Sequence, residues 1–520
     1  MSKVVSLEEA VAMIHNGDTV VTSGIVMSGV PEEVMGAIEK SFLEKGEPRD
    51  LTSIFAAGQG LWDGVSAYEH FAHEGMLKRV IGGHYGTCKK LGALIENNQV
   101  EGYNLPQGVI VDLYHEALRG MPGHLTKLGL KTFVDPRLEG GKCNSRTTED
   151  LVKVVELEGE EYLYYKTPKI DVAIVRGTTA DALGNISFEE EGLPIDMRLI
   201  AMAAHACGGK VIVQVKYTCD RLMTDQVAIP GIFVDAVVVS QEPTKYHRLA
   251  GGTYYDPTMA GHVFAPAEAA ERVPLNAKKV IARRAAMELT PGAIVNLGIG
   301  APEFVANVAQ EEGCADLITM TSESGAVAGV PLGGINFGAV QNAWAVVEEG
   351  VQFDFYNGGG LTITYLGLAE SDKIGNVNVS HFGTSVTGCG GFINISQTTK
   401  NLVYCGTFTA GGLKETFGDG KMTIVQEGRN KKFMNEVQQI TFSAEFGLET
   451  NQNVLYVTER AVFKLVPGGL KLIELAPGVD LQKDVLDQME FAPIVEDYKI
   501  MDEKLFREEN IGLKDLITSK

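Results

Sequence analysis

The beginning of the chain and its second half carry the same series of sequence patterns in the same order. Each series opens with an amphipathic segment: Ser6 and Glu9 have the spacing of a capping box, and Asn276 can cap the second helix. Each then continues with an apolar strand candidate, at 18–24 and at 293–298, followed by a helix start that contains proline. The repeat predicts two related halves.

Two further pairs of segments extend the repeat. Segment 51–60 matches 317–325, and 180–188 matches 371–379, where three residue pairs coincide: Asp181/Asp372, Gly184/Gly375 and Asn185/Asn376. Strands that alternate with helices are typical of α/β domains with mainly parallel sheets, which bind ligands at the carboxyl ends of their strands. We therefore predict two related open α/β domains, 1–274 and 275–520, with the active site in the cleft between them.

Composition excludes several classes of partner. A net charge of -22 opposes binding to nucleic acid and to anionic membranes. No apolar run reaches the roughly 18 residues of a membrane span, and the N-terminus has no signal-type apolar core. The seven cysteines are scattered and never spaced as CxxC, which favours reduced thiols. We expect a cytoplasmic protein without a metal site.

Glu323 is the main candidate for chemistry. In ADLITMTSESGAVAGVPLGG (315–334) an apolar strand runs into a loop of small residues that holds this one acid. The matching loop of the first half, FAAGQG, has no acid at that place. Glycine clusters in the same half, such as NLGIGAPE and TGCGGF, would let backbone N–H groups approach an anion. The alternative is an ordinary exposed glutamate in a turn.

Other reactive residues have simpler interpretations. His84 and His205 lack a second ligand at metal-binding spacing, and Cys389 lacks a paired histidine, so we interpret all three as structural. Lys431 and Lys432 are interpreted as a solvated face, with contact to a phosphate as the alternative.

The chain resembles the family I CoA-transferases, and within them the acetate/propionate CoA-transferase group in which both halves are fused. The resemblance covers nearly the whole chain and rests on eight motifs in the family's order: SESGAVAG, NLGIGAPE, QFDFYNGGGL, GCGGFINIS, YCGTFTAGG, VQEGRNKKF, YVTERAVF and YNLPQG. It implies that Glu323 is the nucleophile, that Gly390 and Gly391 stabilise the oxyanion, and that Gln107 faces the carboxylate substrate. It also implies a CoA-binding loop of Gly298, Ile299, Gly300, Ala301 and Pro302.

The resemblance further implies a ping-pong reaction in which CoA passes from a short-chain acyl-CoA to an acceptor acid. The intermediates would be an acyl-glutamyl anhydride and a glutamyl-CoA thioester. No cofactor is expected, since coenzyme A is itself the substrate. Acetate, propionate, butyrate, lactate and acrylate are not distinguished by the sequence. A homo-oligomer, in particular a tetramer, is expected from the resemblance alone.

Two other functions compete. The first is a nicotinamide dehydrogenase, since NLGIGAPEF follows a strand and opens a helix as a dinucleotide-binding loop does. Against it, Glu303 replaces the third glycine of the GxGxxG fingerprint. A non-enzymatic acyl-CoA-binding protein is the other alternative, and it gives no use to a single acid in a glycine-rich loop.

Overall fold

The computed structural model describes residues 3–266 and 272–520, which form two compact units. The first unit comprises Met1–Ala265, Ser322–Asp354 and His381–Asn394, and the second comprises Pro266–Thr321, Phe355–Ser380 and Ile395–Lys520. The segment that holds Glu323 therefore belongs to the first unit. The predicted boundary between residues 274 and 275 stays a prediction, and part of the segment around it lies outside the described residues.

The first unit is built on a seven-stranded sheet in which all neighbouring strands are parallel. Its strands, in spatial order, are Ala236–Val239, Lys210–Val215, Val172–Arg176, Thr19–Thr22, Leu51–Phe55, Leu77–Gly82 and Glu101–Asn104. Val172–Arg176 is apolar in four of its five residues and buried along its whole length, as is typical of a parallel sheet that helices cover on both faces. The helices are Leu7–Val11, Glu32–Lys45, Lys89–Glu96, Gln107–Arg119, Met197–Ala206 and Pro243–Tyr246.

Smaller strand pairs complete the first unit. Gly123–Thr126, Glu160–Lys166 and Val152–Leu157 form an antiparallel sheet, and Thr179–Asp181 pairs with Tyr217–Cys219. Short hairpin pairs follow Glu323: Ala326–Val327 with Ala345–Val346, and Val330–Pro331 with Val340–Gln341. Another joins His381–Phe382 to Ser385–Val386. The helices Glu349–Asn357 and Phe392–Thr398 begin in this unit.

The second unit has a mixed sheet. Its strands, in spatial order, are Ile318–Thr321, Ala293–Leu297, Ile363–Gly367, Asn401–Cys405, Asn453–Val457, Ala461–Val466, Gly469–Leu475 and Lys499–Ile500. The first five are parallel, and the next two continue as antiparallel hairpins. Its helices are Ala277–Ala286, Phe304–Glu311, Ala444–Glu449 and Leu513–Thr518. Its smaller strands are Glu370–Asp372, Val377–Asn378, Thr409–Ala410, Lys414–Gly418, Lys421–Gln426, Asn430–Lys431 and Phe433–Met434.

The repeat seen in the sequence has a counterpart in the strand order. Thr19–Thr22 lies between Leu51–Phe55 and Val172–Arg176, and Ala293–Leu297 lies between the equivalent strands of the second unit. The turns at Asp181 and Asp372 are also alike, because each aspartate accepts hydrogen bonds from backbone N–H groups two and four residues on. The prediction of related α/β halves with mainly parallel sheets is confirmed. No helix in the described part of the chain is long and apolar enough to cross a membrane.

Candidate active site

Glu323 lies on a tight turn. The N–H of Gly325 donates to the Ser322 carbonyl at 3.0 Å, and the N–H of Ser322 donates to the Ala326 carbonyl at 2.9 Å. The hydroxyl of Ser324 donates to the Gly338 carbonyl at 3.0 Å. Gly325 has φ +106° and lies so close to the residue after the strand Ala345–Val346 that a Cβ atom would stand 1.9 Å from the Val347 carbonyl oxygen. The turn therefore holds the half-buried Glu323 side chain on a fixed backbone.

Gln107 begins the helix Gln107–Arg119 and is nearly fully buried, with 4% of its surface exposed. Its backbone N–H donates to the Gly390 carbonyl at 2.9 Å, and the next N–H, of Gly108, donates to Asn394 Oδ1 at 3.1 Å. Its side-chain Nε2 donates to Glu349 Oε1. These bonds fix both the backbone and the amide of Gln107 against segments that are distant in sequence.

The glycine-rich segment Thr387–Gly391 is held by residues of the first half of the sequence. The N–H of Gly390 donates to the Gly83 carbonyl at 2.7 Å, and the N–H of Cys389 donates to Asn104 Oδ1 at 2.9 Å. Gly388 has φ +87°. The N–H of Gly391 meets no acceptor among the described residues. The Gly391 N–H is thus a backbone donor that no described residue of the protein uses.

Glu349 is a residue of this region that the sequence did not reveal. It is 0% exposed, its N–H donates to the Ile195 carbonyl at 2.9 Å, and its Oε1 accepts from Gln107. Its Oε2 has no hydrogen-bond partner in the described part of the chain. Burial, together with the negative charges of Asp196 and Glu323, raises the pKa of Glu349 well above its ordinary value.

Asp196 is a second buried acid in the same place. It is 2% exposed, its Oδ1 accepts from the Ser23 hydroxyl, and burial raises its pKa to about 7. The residue before it, Ile195, has a φ of +47°, which is rare for a β-branched side chain. No sequence signal identified these acids, since adjacent acids such as Glu348 and Glu349 at a helix start read as a solvated first turn.

The first unit therefore contains four of the nine predicted site residues: Gln107, Glu323, Gly390 and Gly391. Gln107 contacts both Gly390 and Glu349, and the negative charge of Glu323 helps to raise the pKa of Glu349. The predicted CoA loop, Gly298–Pro302, lies in the second unit. There, Gly298 N–H donates to the Tyr365 carbonyl at 2.8 Å, while Ile299 is 57% exposed.

The alternative nucleophile and the candidate metal ligands are placed as follows. Cys389 is buried, and burial raises the pKa of its thiol, which opposes a thiolate nucleophile. His84 is packed between glycine backbones, and burial lowers its pKa to about 4, so its imidazole is neutral. His205 is exposed and lies edge-on to Phe233. Among the described residues no three acidic, histidine or cysteine side chains come together as a metal site.

One interpretation of the lysines was wrong. Lys431 is exposed, but Lys432 is only 8% exposed and its Nζ donates to the Thr407 carbonyl at 2.7 Å. Burial lowers the pKa of Lys432 to about 8. The pair is therefore not a solvated face, because the second lysine satisfies a backbone carbonyl inside the second unit.

The fold agrees with what comparison with known proteins shows. Residues 4–240 match the family model described as Coenzyme A transferase. A caffeate CoA-transferase from Acetobacterium woodii is 46% identical over 99% of this chain and 100% of its own length. The chain belongs to the coenzyme A transferase family, and the resemblance seen in the motifs is confirmed.

Further relatives include acetate CoA-transferases and a solved structure. The acetate CoA-transferase YdiF of Escherichia coli K12 is 43% identical over 98% of this chain and 96% of its own length. The crystal structure of the YdiF apoenzyme from Escherichia coli O157:H7 superposes with a TM-score of 0.92 at 41% identity, covering 98% of this chain and 97% of that one. This protein is accordingly an enzyme that transfers CoA between acyl-CoA and carboxylates.

Proposed function

We propose that this enzyme transfers CoA from a short-chain acyl-CoA, such as acetyl-, propionyl- or butyryl-CoA, to an acceptor carboxylic acid by a ping-pong mechanism at Glu323. The observation that carries the proposal is the Glu323 turn: a single half-buried acid on a fixed backbone, beside the buried Gln107–Glu349 pair. A nucleophile must be held in a near-attack position, and a rigid turn meets that need.

In the first half-reaction a Glu323 carboxylate oxygen attacks the thioester carbonyl of the acyl-CoA. The C–S bond breaks, CoA leaves as a thiolate, and a mixed anhydride of Glu323 and the donor acid remains. The thiolate then attacks the glutamyl carbonyl, which releases the donor's carboxylate and leaves a glutamyl-CoA thioester. The acceptor acid reverses both steps, so one thioester replaces another without net oxidation or an external energy source.

The remaining residues have supporting roles in this proposal. The backbone N–H of Gly391, next to Gly390, would donate to the oxyanion that develops at the attacked carbonyl. The Gln107 amide would face the substrate carboxylate, and Gly298–Pro302 would contact CoA through its backbone. A related solved structure from Escherichia coli O157:H7, with a TM-score of 0.91 and 40% identity, is described as a thioester complex with CoA, which supports a covalent intermediate.

The acceptor is proposed to be a short acid such as acetate or propionate. A second acceptor class, an aryl-substituted acid such as caffeate, is favoured by the similarity to the Acetobacterium woodii transferase. A panel of these acids with acetyl-CoA as donor, followed by chromatography of the acyl-CoA products, separates the two classes. We also propose a cytoplasmic homo-oligomer, in particular a tetramer, and sedimentation equilibrium that shows only a 56 kDa species would contradict the oligomer.

The test of the mechanism is substitution of Glu323. Glu323→Ala should abolish exchange between acyl-CoA and a second acid, since no other carboxylate stands on this turn. The matched control is Glu348→Gln, which removes a charge from the same unit and breaks the ion pair with Arg198 at 2.5 Å. Exchange by Glu323→Ala at the rate of the wild type would refute the proposed role.

A further inference from the structure

Glu349 has a geometry that the transfer reaction alone does not explain. It is fully buried, yet it forms no ion pair in the described residues, and only one of its carboxyl oxygens has a hydrogen-bond partner. Its partner is the amide of Gln107, whose own backbone is tied to Gly390. A buried carboxylate with neither a cation nor a full set of donors is strongly disfavoured, whereas a neutral carboxylic acid is tolerated.

The charges around Glu349 act in the same direction. Glu323, and Asp196 when it is ionised, lie close enough for their negative charge to oppose ionisation of Glu349, and Tyr114 on the adjacent helix offers no positive charge. His115, which lies beside the Gly350 backbone, has a pKa lowered by burial and by the charge of Arg119, so it is neutral too. Nothing in these neighbours would stabilise a second anion next to the proposed nucleophile.

We propose that Glu349 is a positioning residue that acts as a neutral acid: it fixes the Gln107 amide toward the substrate carboxylate and keeps the surroundings of Glu323 low in negative charge. The inference rests on the proposed function. Glu323 is an anion when it attacks the acyl-CoA, and the acceptor carboxylate later approaches the same place to attack the glutamyl-CoA thioester. A further charge at Glu349 would repel both, because Coulomb interactions are strong where water is excluded.

The neutral state makes a prediction that a purely structural role does not. Glu349→Gln keeps the size of the side chain and an acceptor for Gln107, and it can never ionise. Its kcat and its KM for the acceptor acid should stay within about three-fold of the wild type. Glu349→Asp withdraws the acceptor by one methylene, and Glu349→Ala removes it. Both should lose about 10- to 100-fold in kcat/KM, mainly through a higher KM for the acid.

Infrared spectroscopy measures the protonation state without relying on turnover. At neutral pH the wild type should show the carbonyl stretch of a protonated glutamic acid, assigned by ¹³C-glutamate labelling, and one such band should disappear in Glu349→Gln. The matched control is Glu415→Gln. Glu415 is another buried glutamate whose pKa is raised, to about 9, first by burial and then by Glu459, and it lies in the other unit. This variant should lose its own band and keep wild-type exchange.

Each result decides the matter. A neutral-acid band lost in Glu349→Gln, together with rescue by Gln but not by Ala, supports the proposal. Absence of that band, or a Gln variant as impaired as Ala while its circular dichroism and melting are those of the wild type, overturns it. Failure of the proposed function is distinguishable, because it would appear as an inactive wild type or an active Glu323→Ala, and neither changes the infrared result.

Discussion

Truncation of Gln107 tests how the site holds its substrate. In Gln107→Ala, Glu349 Oε1 loses its donor, and because Oε2 has none, both oxygens of a fully buried carboxyl stand unpartnered. Leaving a buried polar group unpaired costs about 1–3 kcal/mol, and the space left by the amide adds to that cost. We expect the free energy of unfolding to fall by about 2–3 kcal/mol.

Catalysis should fall in the same variant, because the amide no longer meets the acceptor carboxylate. Loss of one hydrogen bond to a charged group, about 1.5–3 kcal/mol, corresponds to a decrease of about 10- to 150-fold in kcat/KM for the acid. The isosteric Gln107→Glu leaves no cavity, so its loss of stability should be confined to the missing amide donor to Glu349. It replaces the donor by a further acid, so its KM for acceptor acids should rise at least as much.

The assay is steady-state exchange between acetyl-CoA and propionate, with urea unfolding of the same preparations. Gln99→Ala is the control, since Gln99 is an exposed glutamine of the first unit whose amide only reaches Glu74. If Gln107→Ala keeps both its acceptor KM within about two-fold and its stability within about 0.5 kcal/mol of the wild type, the reasoning about this hydrogen bond is wrong.

Two further predictions concern the support of the site and the fold around it. Gly325→Ala should destabilise the protein by more than about 2 kcal/mol and lower the rate of CoA exchange, because the new Cβ would meet the Val347 carbonyl. The control is Gly46→Ala, which is also at positive φ but has open space around it, and it should lower the free energy of unfolding in urea by about 1 kcal/mol. The pKa of His70 is raised above its ordinary value: burial acts to lower it, but hydrogen bonds and charges of Glu32 and Glu39 outweigh burial. The stability that protonated His70 contributes is therefore present below about pH 6.5 and lost as the pH rises through the raised pKa. The difference in free energy of unfolding between the wild type and His70→Gln should be larger at pH 5.5 than at pH 8.5. An equal difference at the two pH values would contradict this.

Features set by neighbouring residues could be predicted from the sequence. The capping box of Ser6 and Glu9 is present, and Asn276 caps its helix by accepting from the N–H of Lys279. The strand predicted at 18–24 forms as Thr19–Thr22. The repeated aspartate turns were visible because the hydrogen bonds that the two turns share lie within four residues.

Features set by distant partners could not be predicted. Lys279 and Arg284 look like the solvated face of a helix, yet both are buried, paired with Glu311 and Glu474 at 2.7 Å. Glu349 is similar, since only the folded chain brings it to Gln107, a residue far away in the sequence. The local sequence does not show whether a charged side chain is buried, and burial is the main cause of the raised pKa of Glu349.

The most direct test of the account is to trap the thioester on Glu323. The enzyme is incubated with acyl-CoA in the absence of an acceptor acid, so that a ping-pong enzyme completes only its first half-reaction. Intact mass should increase by the mass of CoA, and borohydride should then inactivate the enzyme only after acyl-CoA treatment. Peptide mapping should place the reduced residue at Glu323. A modification that maps to another residue, or acyl-CoA treatment that never sensitises the enzyme to borohydride, would contradict the proposed mechanism.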